Sequence, residues 1–198
     1  MKKVLILFAH PRMEKSRANA ALLTHIPSAE NITFHDLYEL YPDFNIDVET
    51  EKKLLLEHDI IIWQHPFYWY SCPPLMKQWI DMVLEFGWAY GPGGTALKDK
   101  IIFNAITTGG ANATYNMAGH NRFTIQEYLR PFEQTAHLCK MIYFPPFLIQ
   151  GTHRLQDEEL ERFSQQYVIL LTKMAQGNFE ESHMKNITFL NEICVKPI

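Results

Sequence analysis

The polar segment that follows the first apolar run carries residue types that can hold a phosphate. Residues 9–19 read AHPRMEKSRAN and lead directly into a predicted helix. Such a loop offers free backbone N–H groups and the positive end of a helix dipole to an anion. Ser16 and Asn19 add short polar side chains, and Arg12, Lys15 and Arg17 raise the local positive potential. The alternative is a serine that caps a helix in a solvated loop. The glycine patterns of a Rossmann dinucleotide site and of a P-loop are absent from this segment.

An aromatic segment follows the third apolar run. Residues 67–70 read FYWY. Neighbouring side chains point in different directions, so these rings cannot all enter one face of a core. Aromatic planes at the end of a strand offer a stacking surface to a flat heterocycle. Packing beneath a long loop is the alternative. We interpret the adjacent His65 as a structural hydrogen-bonding histidine and Cys72 as a small buried side chain.

Paired glycines close the fourth apolar run, in the segment TTGG at 107–110. Glycines let a backbone approach a ligand closely and direct its N–H groups toward that ligand. A flavin needs such donors, because its reduced form carries negative charge over N1 and O2. A tight turn is the alternative. Tyr115 and His120 follow, and either could donate a hydrogen bond or a proton near such a ring, although a single Tyr or His is more often structural.

The elements that must position these loops alternate between apolar strands and amphipathic helices. Strands are predicted at Val4–Ala9, Ile32–His35, Ile60–Trp63, Ile101–Ile106 and Met141–Ile149. Helices are predicted at Ala18–Thr24, Val48–His58, Pro74–Phe86, Ile125–Ala136 and Asp157–Met174. Continuous apolar strands are typical of a parallel sheet covered by helices on both faces, so the pattern predicts a doubly wound α/β fold. Such a sheet binds ligands beyond the carboxyl ends of its strands, where the loops described above lie.

Composition limits the classes of function. The chain has 198 residues, 47% of them hydrophobic, which fits one domain with a substantial core. A formal charge of -4 makes nucleic acid an unexpected partner. The 3 cysteines lack disulfide or metal-ligand spacing, so we expect a reducing cytoplasm and no metal. No apolar run approaches the ~20 residues of a membrane span. Residues 1–174 are predicted to form the domain. Residues 175–198 form an extension, whose apolar patch at 187–190 could pack on the domain or on a partner subunit.

Several ordered segments together resemble one family. They are LFAHP at 7–11, DLYELYPDF at 36–44, WQHP at 63–66, WYS at 69–71, GWAYG at 87–91, TTGG at 107–110 and LRPFE at 129–133. The chain resembles the flavodoxin-like NAD(P)H:quinone oxidoreductases, and most closely the ancillary proteins of glutathione-gated potassium-efflux (Kef) antiporters. The resemblance implies a flavodoxin-like three-layer α/β sandwich with a five-stranded parallel sheet in the order 2-1-3-4-5.

The resemblance also implies bound FMN, with NADH or NADPH as electron donor. The residues implied to contact the phosphate and ribityl chain are His10, Ser16, Arg17, Ala18 and Asn19. Contacts along the ring fall on Phe67, Tyr68, Trp69 and Tyr70, and contacts at its pyrimidine edge on Thr107, Thr108, Gly109 and Gly110. Tyr115 matches a tyrosine that assists hydride transfer in the larger quinone reductases. His120 is only near the position of the histidine that assists it there.

The implied activity is two-electron reduction of a quinone-like acceptor by a cytoplasmic homodimer. An alternative from another class is a regulatory ancillary subunit that docks on a membrane potassium-efflux antiporter, at the inner face of the cell membrane, with catalysis secondary. A one-electron carrier of the flavodoxin type is disfavoured, because such carriers usually present a strongly acidic docking face. A serine hydrolase is disfavoured because the chain has no GxSxG turn.

Overall fold

The protein is a three-layer α/β sandwich. The computed structural model describes residues 1–184 and 186–194. Its parallel strands are β1 Val4–Phe8, β2 Ile32–Asp36, β3 Ile60–Pro66, β4 Ile101–Thr107, β5 Ile142–Tyr143 and β6 Phe147–Ile149. Its helices are α1 Arg17–Thr24, α2 Leu37–Leu40, α3 Val48–Glu57, α4 Pro74–Val83, α5 Ile125–Tyr128, α6 Arg130–Leu138, α7 Asp157–Gln176 and α8 Glu181–Met184. The predicted fold class and the strand order β2-β1-β3-β4-β5 are confirmed.

The sheet is buried on both faces, as its continuous apolar strands predicted. Along β1, Leu5 and Leu7 enter the core beneath α3 and α4, whereas Val4 and Ile6 enter the core beneath α1 and α7. Side chains alternate between the faces of a strand, so an unbroken apolar run supplies both cores at once. The aligned register of β1, β3 and β4 brings the carboxyl ends of these strands to one edge of the sheet.

The fifth strand differs from its predicted form, Met141–Ile149. It is divided into β5, which pairs with the start of β4, and β6, which pairs with the end of β4. Pro145 and Pro146 lie between the two pieces. A proline has no N–H to donate to a neighbouring strand, so the ladder is interrupted there. Among the described residues, the sheet therefore has six strands, and both β5 and β6 pair with β4.

Two helices also differ from their predicted bounds. The helix predicted at Ile125–Ala136 is broken at Leu129, and Pro131 lies in the first turn of α6. That proline cannot donate an i→i−4 bond, which favours a new helix start over a continuous helix. The helix predicted at Pro74–Phe86 ends at Val83, because Leu84 leaves helical geometry with ψ 67.

The C-terminal extension packs on the domain where it is described. Leu190 is fully buried in the core beneath α7, and its N–H donates to Pro146 O at 2.9 Å. The side chain of Asn191 accepts from Leu148 N at 2.9 Å and donates to Leu148 O at 3.0 Å, so it pairs with β6 as a further strand would. Residues 185 and 195–198 of the predicted extension lie outside the described residues. Within residues 1–184 and 186–194, no helix combines the length and the hydropathy needed to cross a bilayer.

We expect Asn191→Ala to lower the free energy of unfolding by about 1 to 3 kcal/mol. The substitution leaves an N–H and a C=O of β6 without their partner, and an unsatisfied buried backbone group costs about that much. Urea titration followed by circular dichroism measures the loss. Asn186→Ala is the matched control, because the exposed Asn186 only donates to Ser182 O within the same extension. Equal unfolding midpoints for the two variants would contradict the prediction.

Candidate functional site

Loops from different strands meet at the carboxyl edge of the sheet and enclose two adjoining cavities. The first cavity, of about 560 Å³, lies between the loop after β1 and the ends of β3 and β4. The second, of about 400 Å³, lies between the aromatic loop and the loop after β4. Phe67 and Gly109 line both cavities, so the two form one continuous site. A parallel sheet binds ligands at this edge.

Most of the predicted site residues line these cavities. The first is lined by His10, Ser16, Arg17, Ala18, Phe67, Tyr68, Thr107 and Gly109. The second is lined by Phe67, Trp69, Tyr70, Gly109, Gly110, Tyr115 and His120. Asn19 and Thr108 line neither cavity, because both are buried beneath the site with 1% of their surface exposed. Their side chains donate hydrogen bonds to Thr107 Oγ1 and Gly110 O respectively, two residues that line the cavities.

The loop after β1 is organised by short local hydrogen bonds. Arg12 N donates to His10 Nδ1 at 3.1 Å, which leaves the ring proton on Nε2. Burial lowers the pKa of His10, so the imidazole is neutral near neutral pH. Ser16 then caps α1 by accepting from Asn19 N at 3.3 Å. The backbone N–H groups of the first turn of α1 therefore lie at the cavity, and the neutral His10 lies beside them with its proton on Nε2. This arrangement suits a phosphate.

The cations of this loop are not equivalent. Arg12 and Lys15 line the first cavity. Arg17 also lines this cavity, but its guanidinium forms an ion pair with Asp157 at 2.5 Å and donates to Leu155 O at 3.3 Å, next to the start of α7. Part of its charge is thereby balanced within the protein. The sequence had suggested the same electrostatic role for these cations, and the partner of Arg17 could be found only in the structure.

Asn19 has an unused acceptor. Its amide nitrogen donates to Ser16 Oγ at 3.0 Å and to Thr107 Oγ1 at 3.2 Å. Its oxygen Oδ1 is buried and has no hydrogen-bond partner among the described residues. A buried polar atom without a partner is costly unless a ligand or water supplies one. This oxygen lies below the cavity surface, so the fit to FMN rests instead on the N-terminus of α1 and on Arg12 and Lys15, which line the cavity and suit a phosphate.

The aromatic loop is held in a strained turn. Trp69 and Tyr70 have φ 47 and φ 62, in the left-handed region, and Ser71 N donates to Tyr68 O at 3.0 Å. Non-glycine residues in that region cost of order 1 to 3 kcal/mol each and cluster at functional sites. The turn leaves 93% of Trp69 exposed, whereas Phe67 is 8% exposed and meets Tyr115 edge-on at 6.1 Å.

Close approach explains the paired glycines of the loop after β4. A methyl group on Gly110 would lie 2.9 Å from Tyr115 Cε2, and one on Gly109 would lie 2.7 Å from His153 Nε2. Any side chain at either position would displace an aromatic ring. The glycines therefore let Tyr115 and His153 pack directly on the backbone of this loop.

Tyr115 and His120 are brought to the same cavity, with different surroundings. Burial raises the pKa of Tyr115, so its hydroxyl stays protonated near neutral pH. His120 is exposed at the rim of that cavity. Asn121, which the sequence did not indicate, lies beside it and donates to Thr114 Oγ1 at 3.1 Å. Tyr115 is thus placed as a hydrogen-bond donor on a packed support.

The loop after β6 was also missed, because it carries no glycine pattern and no aromatic run. Thr152 and His153 line the first cavity. Their loop is joined to the loop after β4 by Thr152 N to Thr108 O at 3.0 Å and by Gly151 N to Gly110 O at 2.9 Å. Only the pairing of β6 with β4 brings these residues to the site.

A buried polar chain lies directly beneath the site. His65 Nδ1 is 3.0 Å from Pro66 O, and its Nε2 is 3.1 Å from Asn104 Nδ2. Asn104 Oδ1 accepts from Tyr143 OH at 2.6 Å. The geometry assigns the ring proton to Nδ1, so His65 is neutral. This agrees with the structural role that its sequence context suggested.

We expect His65 to make the protein less stable as the pH falls. Burial lowers the pKa of His65 to about 4, against an ordinary value of 6.5. Between these two pKa values His65 is protonated in the unfolded chain and neutral in the folded chain. The free energy of unfolding therefore decreases as the pH falls from 6.5 toward 4. The loss between pH 7 and pH 5 is about 2 kcal/mol. Urea unfolding across this range should show a shallower pH dependence for His65→Gln. The exposed His137→Gln is the control, and equal slopes for both variants would contradict the prediction.

The chain is similar to a family of known fold and to several known proteins. Residues 2–171 match the family model described as flavodoxin-like fold. The glutathione-regulated potassium-efflux system ancillary protein KefG of Yersinia pseudotuberculosis is 46% identical over 166 residues, 84% of this chain and 91% of that protein. General stress protein 14 of Treponema denticola, solved in complex with FMN, is 40% identical with a TM-score of 0.78, over 87% of this chain and 99% of that one. An NADPH-quinone reductase from P. pentosaceus is 32% identical with a TM-score of 0.76, over 87% of this chain and 97% of that one.

Proposed function

Because the chain belongs to the flavodoxin-like fold family that its residues 2–171 match, we propose that it binds FMN and reduces quinone-like acceptors in a two-electron reaction. NADH or NADPH is the electron donor. The observation that carries the proposal is the convergence of a helix N-terminus, an aromatic loop and a glycine pair on one continuous site. An FMN complex and an NADPH-quinone reductase among the similar structures support the same assignment.

The residues of the first cavity that lie in the loop after β1 and at the start of α1 bind and orient the phosphate end. The N–H groups at the start of α1 hold the anion, and Arg12 and Lys15 add positive potential. The neutral His10 donates from Nε2. Asn19 supports this end from below, through the hydrogen bond from its amide nitrogen to Thr107 Oγ1. The His10 ring and the first turn of α1 are held by hydrogen bonds before the ligand arrives, so little ordering cost opposes their part in binding.

The aromatic loop and the loop after β4 hold the ring. FMN, when bound, supplies the hydride chemistry. Phe67, Tyr68, Trp69 and Tyr70 offer apolar surface that excludes water from one side of the site. The N–H groups of Gly109 and Gly110 are proposed to meet the pyrimidine edge of the ring, whereas Thr108 N already donates to Ile149 O at 2.8 Å. Tyr115 holds a proton on its hydroxyl at the rim of the second cavity, where it orients the bound ring or the incoming donor. His120 is exposed at that rim and is proposed as a second donor.

Spectroscopy and rapid mixing test the proposal. Purified protein reconstituted with FMN should show a flavin band near ~450 nm. Anaerobic mixing with NADH or NADPH should bleach that band, and a quinone should restore it. Full FMN occupancy without bleaching by either nicotinamide would remove the oxidoreductase proposal and leave a flavin-binding protein.

A regulatory role is the second candidate, favoured by 46% identity to a potassium-efflux ancillary protein. In that role the chain docks on a membrane antiporter of the Kef type, and flavin occupancy stabilises the docking surface. Potassium efflux from cells lacking this protein, complemented with the wild type or with a variant that cannot bind FMN, tests the idea. Unchanged efflux on deletion would count against regulation.

Homodimerisation is part of the proposal. Trp69 is 93% exposed and Phe123 is 52% exposed, on the two loops that border the second cavity. A second copy that covers these side chains would remove apolar surface from water and close the site. Sedimentation velocity tests it, and a monomer at micromolar concentration with FMN bound would contradict it.

A further inference from the structure

We infer that His153 is a further residue of this site, a hydrogen-bond donor to the pyrimidine end of the flavin that favours its reduced form. The inference rests on the proposed function, since it takes the ring to lie against the loop after β4. His153 belongs to the loop after β6, beyond LRPFE at 129–133, the last segment that carried the resemblance.

The position of His153 is set by backbone contacts between two loops. Gly151 N donates to Gly110 O at 2.9 Å, Thr152 N donates to Thr108 O at 3.0 Å, and Arg154 N donates to Gly151 O at 2.8 Å. Gly151 has φ 70, which turns the chain back toward the end of β4. The imidazole is therefore carried on a turn that is anchored on both sides, not on a free loop.

The imidazole packs on Gly109 itself. A methyl group on Gly109 would lie 2.7 Å from His153 Nε2 and 2.9 Å from Cδ2, closer than side-chain atoms pack. Both residues also line the first cavity. The missing side chain at Gly109 leaves room for the ring of His153 in this position, and the ring edge lies next to the backbone proposed to meet the flavin pyrimidine.

The chemistry of this position suits a donor. The ring of His153 is exposed to the cavity, and within residues 1–184 and 186–194 neither ring nitrogen has a hydrogen-bond partner. A reduced flavin carries negative charge at its pyrimidine edge, so a donor there stabilises the reduced form more than the oxidised form. Among the residues that the structure describes, no hydrogen bond requires a histidine at this position.

The experiment compares the affinities of oxidised and reduced FMN. His153→Phe keeps a ring of similar shape without a donor, and we expect the ratio of reduced to oxidised affinity to fall about tenfold. For a two-electron couple this lowers the midpoint potential by about 30 mV. Dye equilibration during slow anaerobic reduction measures the potential. His153→Gln retains an amide donor and should recover part of the loss.

Arg154→Gln is the matched control, a change to the neighbouring exposed side chain that should leave the potential unchanged. If His153→Phe and His153→Gln both bind FMN at the wild-type potential, the role of His153 is overturned and the proposed function stands. If the wild-type protein binds no FMN in a titration calorimeter, both proposals are overturned. Thermal unfolding of each variant verifies that the fold is retained.

Discussion

Ser16→Asp should abolish useful FMN binding while leaving the fold intact. Aspartate caps a helix as well as serine does, so α1 keeps its N-terminal hydrogen bond to Asn19 N. The new carboxylate lies where the phosphate is proposed to bind. Two unit charges about 5 Å apart repel by about 3 kcal/mol at an effective dielectric near 20. The Kd for FMN should therefore rise at least about 100-fold.

The matched comparisons isolate the phosphate contact. Ser16→Asn is a neutral cap of similar strength and should change the Kd by less than about threefold. Riboflavin lacks the phosphate, so its affinity should be similar in the wild type and in Ser16→Asp. Fluorescence quenching of the two flavins measures all of these values. Equal losses for FMN and riboflavin would show that the site had been disrupted as a whole, and would sink the assignment of the phosphate to the N-terminus of α1.

Tyr115→Phe should slow reduction of bound FMN by NADH or NADPH by about 100-fold. Removing a positioned hydroxyl donor commonly costs a factor of about 10² or more. The ring itself remains, and with it the contacts to Gly110 and Phe67, so the Kd for FMN should stay within about threefold of the wild type. Stopped-flow absorbance measures the rate.

Tyr128→Phe is the control within the same aromatic cluster. Tyr128 meets Tyr115 edge-on at 6.3 Å, its hydroxyl donates to the backbone oxygen of Asn121, and Tyr128 itself lines neither cavity. Its loss should alter the rate of reduction by much less than loss of the Tyr115 hydroxyl.

Because burial raises the pKa of Tyr115, the wild-type rate should not fall from ionisation of this group between pH 6 and pH 8. Comparable rates for Tyr115→Phe and the wild type would remove Tyr115 from the mechanism.

Local hydropathy patterns predicted those strands and helices well whose formation depends on a single physical rule. The strand β1 is apolar throughout and β3 is apolar over Ile60–Trp63, as expected of a parallel sheet covered on both faces, and both strands are buried along their whole length. The start of α4 at Pro74 and the acidic first turn of α7 also followed from local chemistry. The predicted bounds were less accurate where prolines divide an element. Hydropathy predicted one helix at Ile125–Ala136 and one strand at Met141–Ile149, and each is divided in two near Pro131 or at Pro145 and Pro146.

The predicted site residues came from three loops, for a reason that holds in any parallel sheet. Loops that follow neighbouring parallel strands meet at one edge, so Ser16, Phe67 and Gly109 could be grouped from their positions after apolar runs. Their roles toward FMN stay predictions. Asn121 and His153 could not be grouped in this way, because neither lies in a segment with a local signal.

The amino-acid sequence by itself determined the layered α/β class, the order of the elements and the loops that hold the site, since these follow from hydropathy period and strand direction. Tertiary structure alone decided that His153 packs on Gly109, that Arg17 pairs with Asp157 and that Asn191 covers β6. Each of these contacts joins residues far apart in the chain. Such contacts depend on which strands pair and where each loop turns, and no local pattern of residue types encodes that geometry.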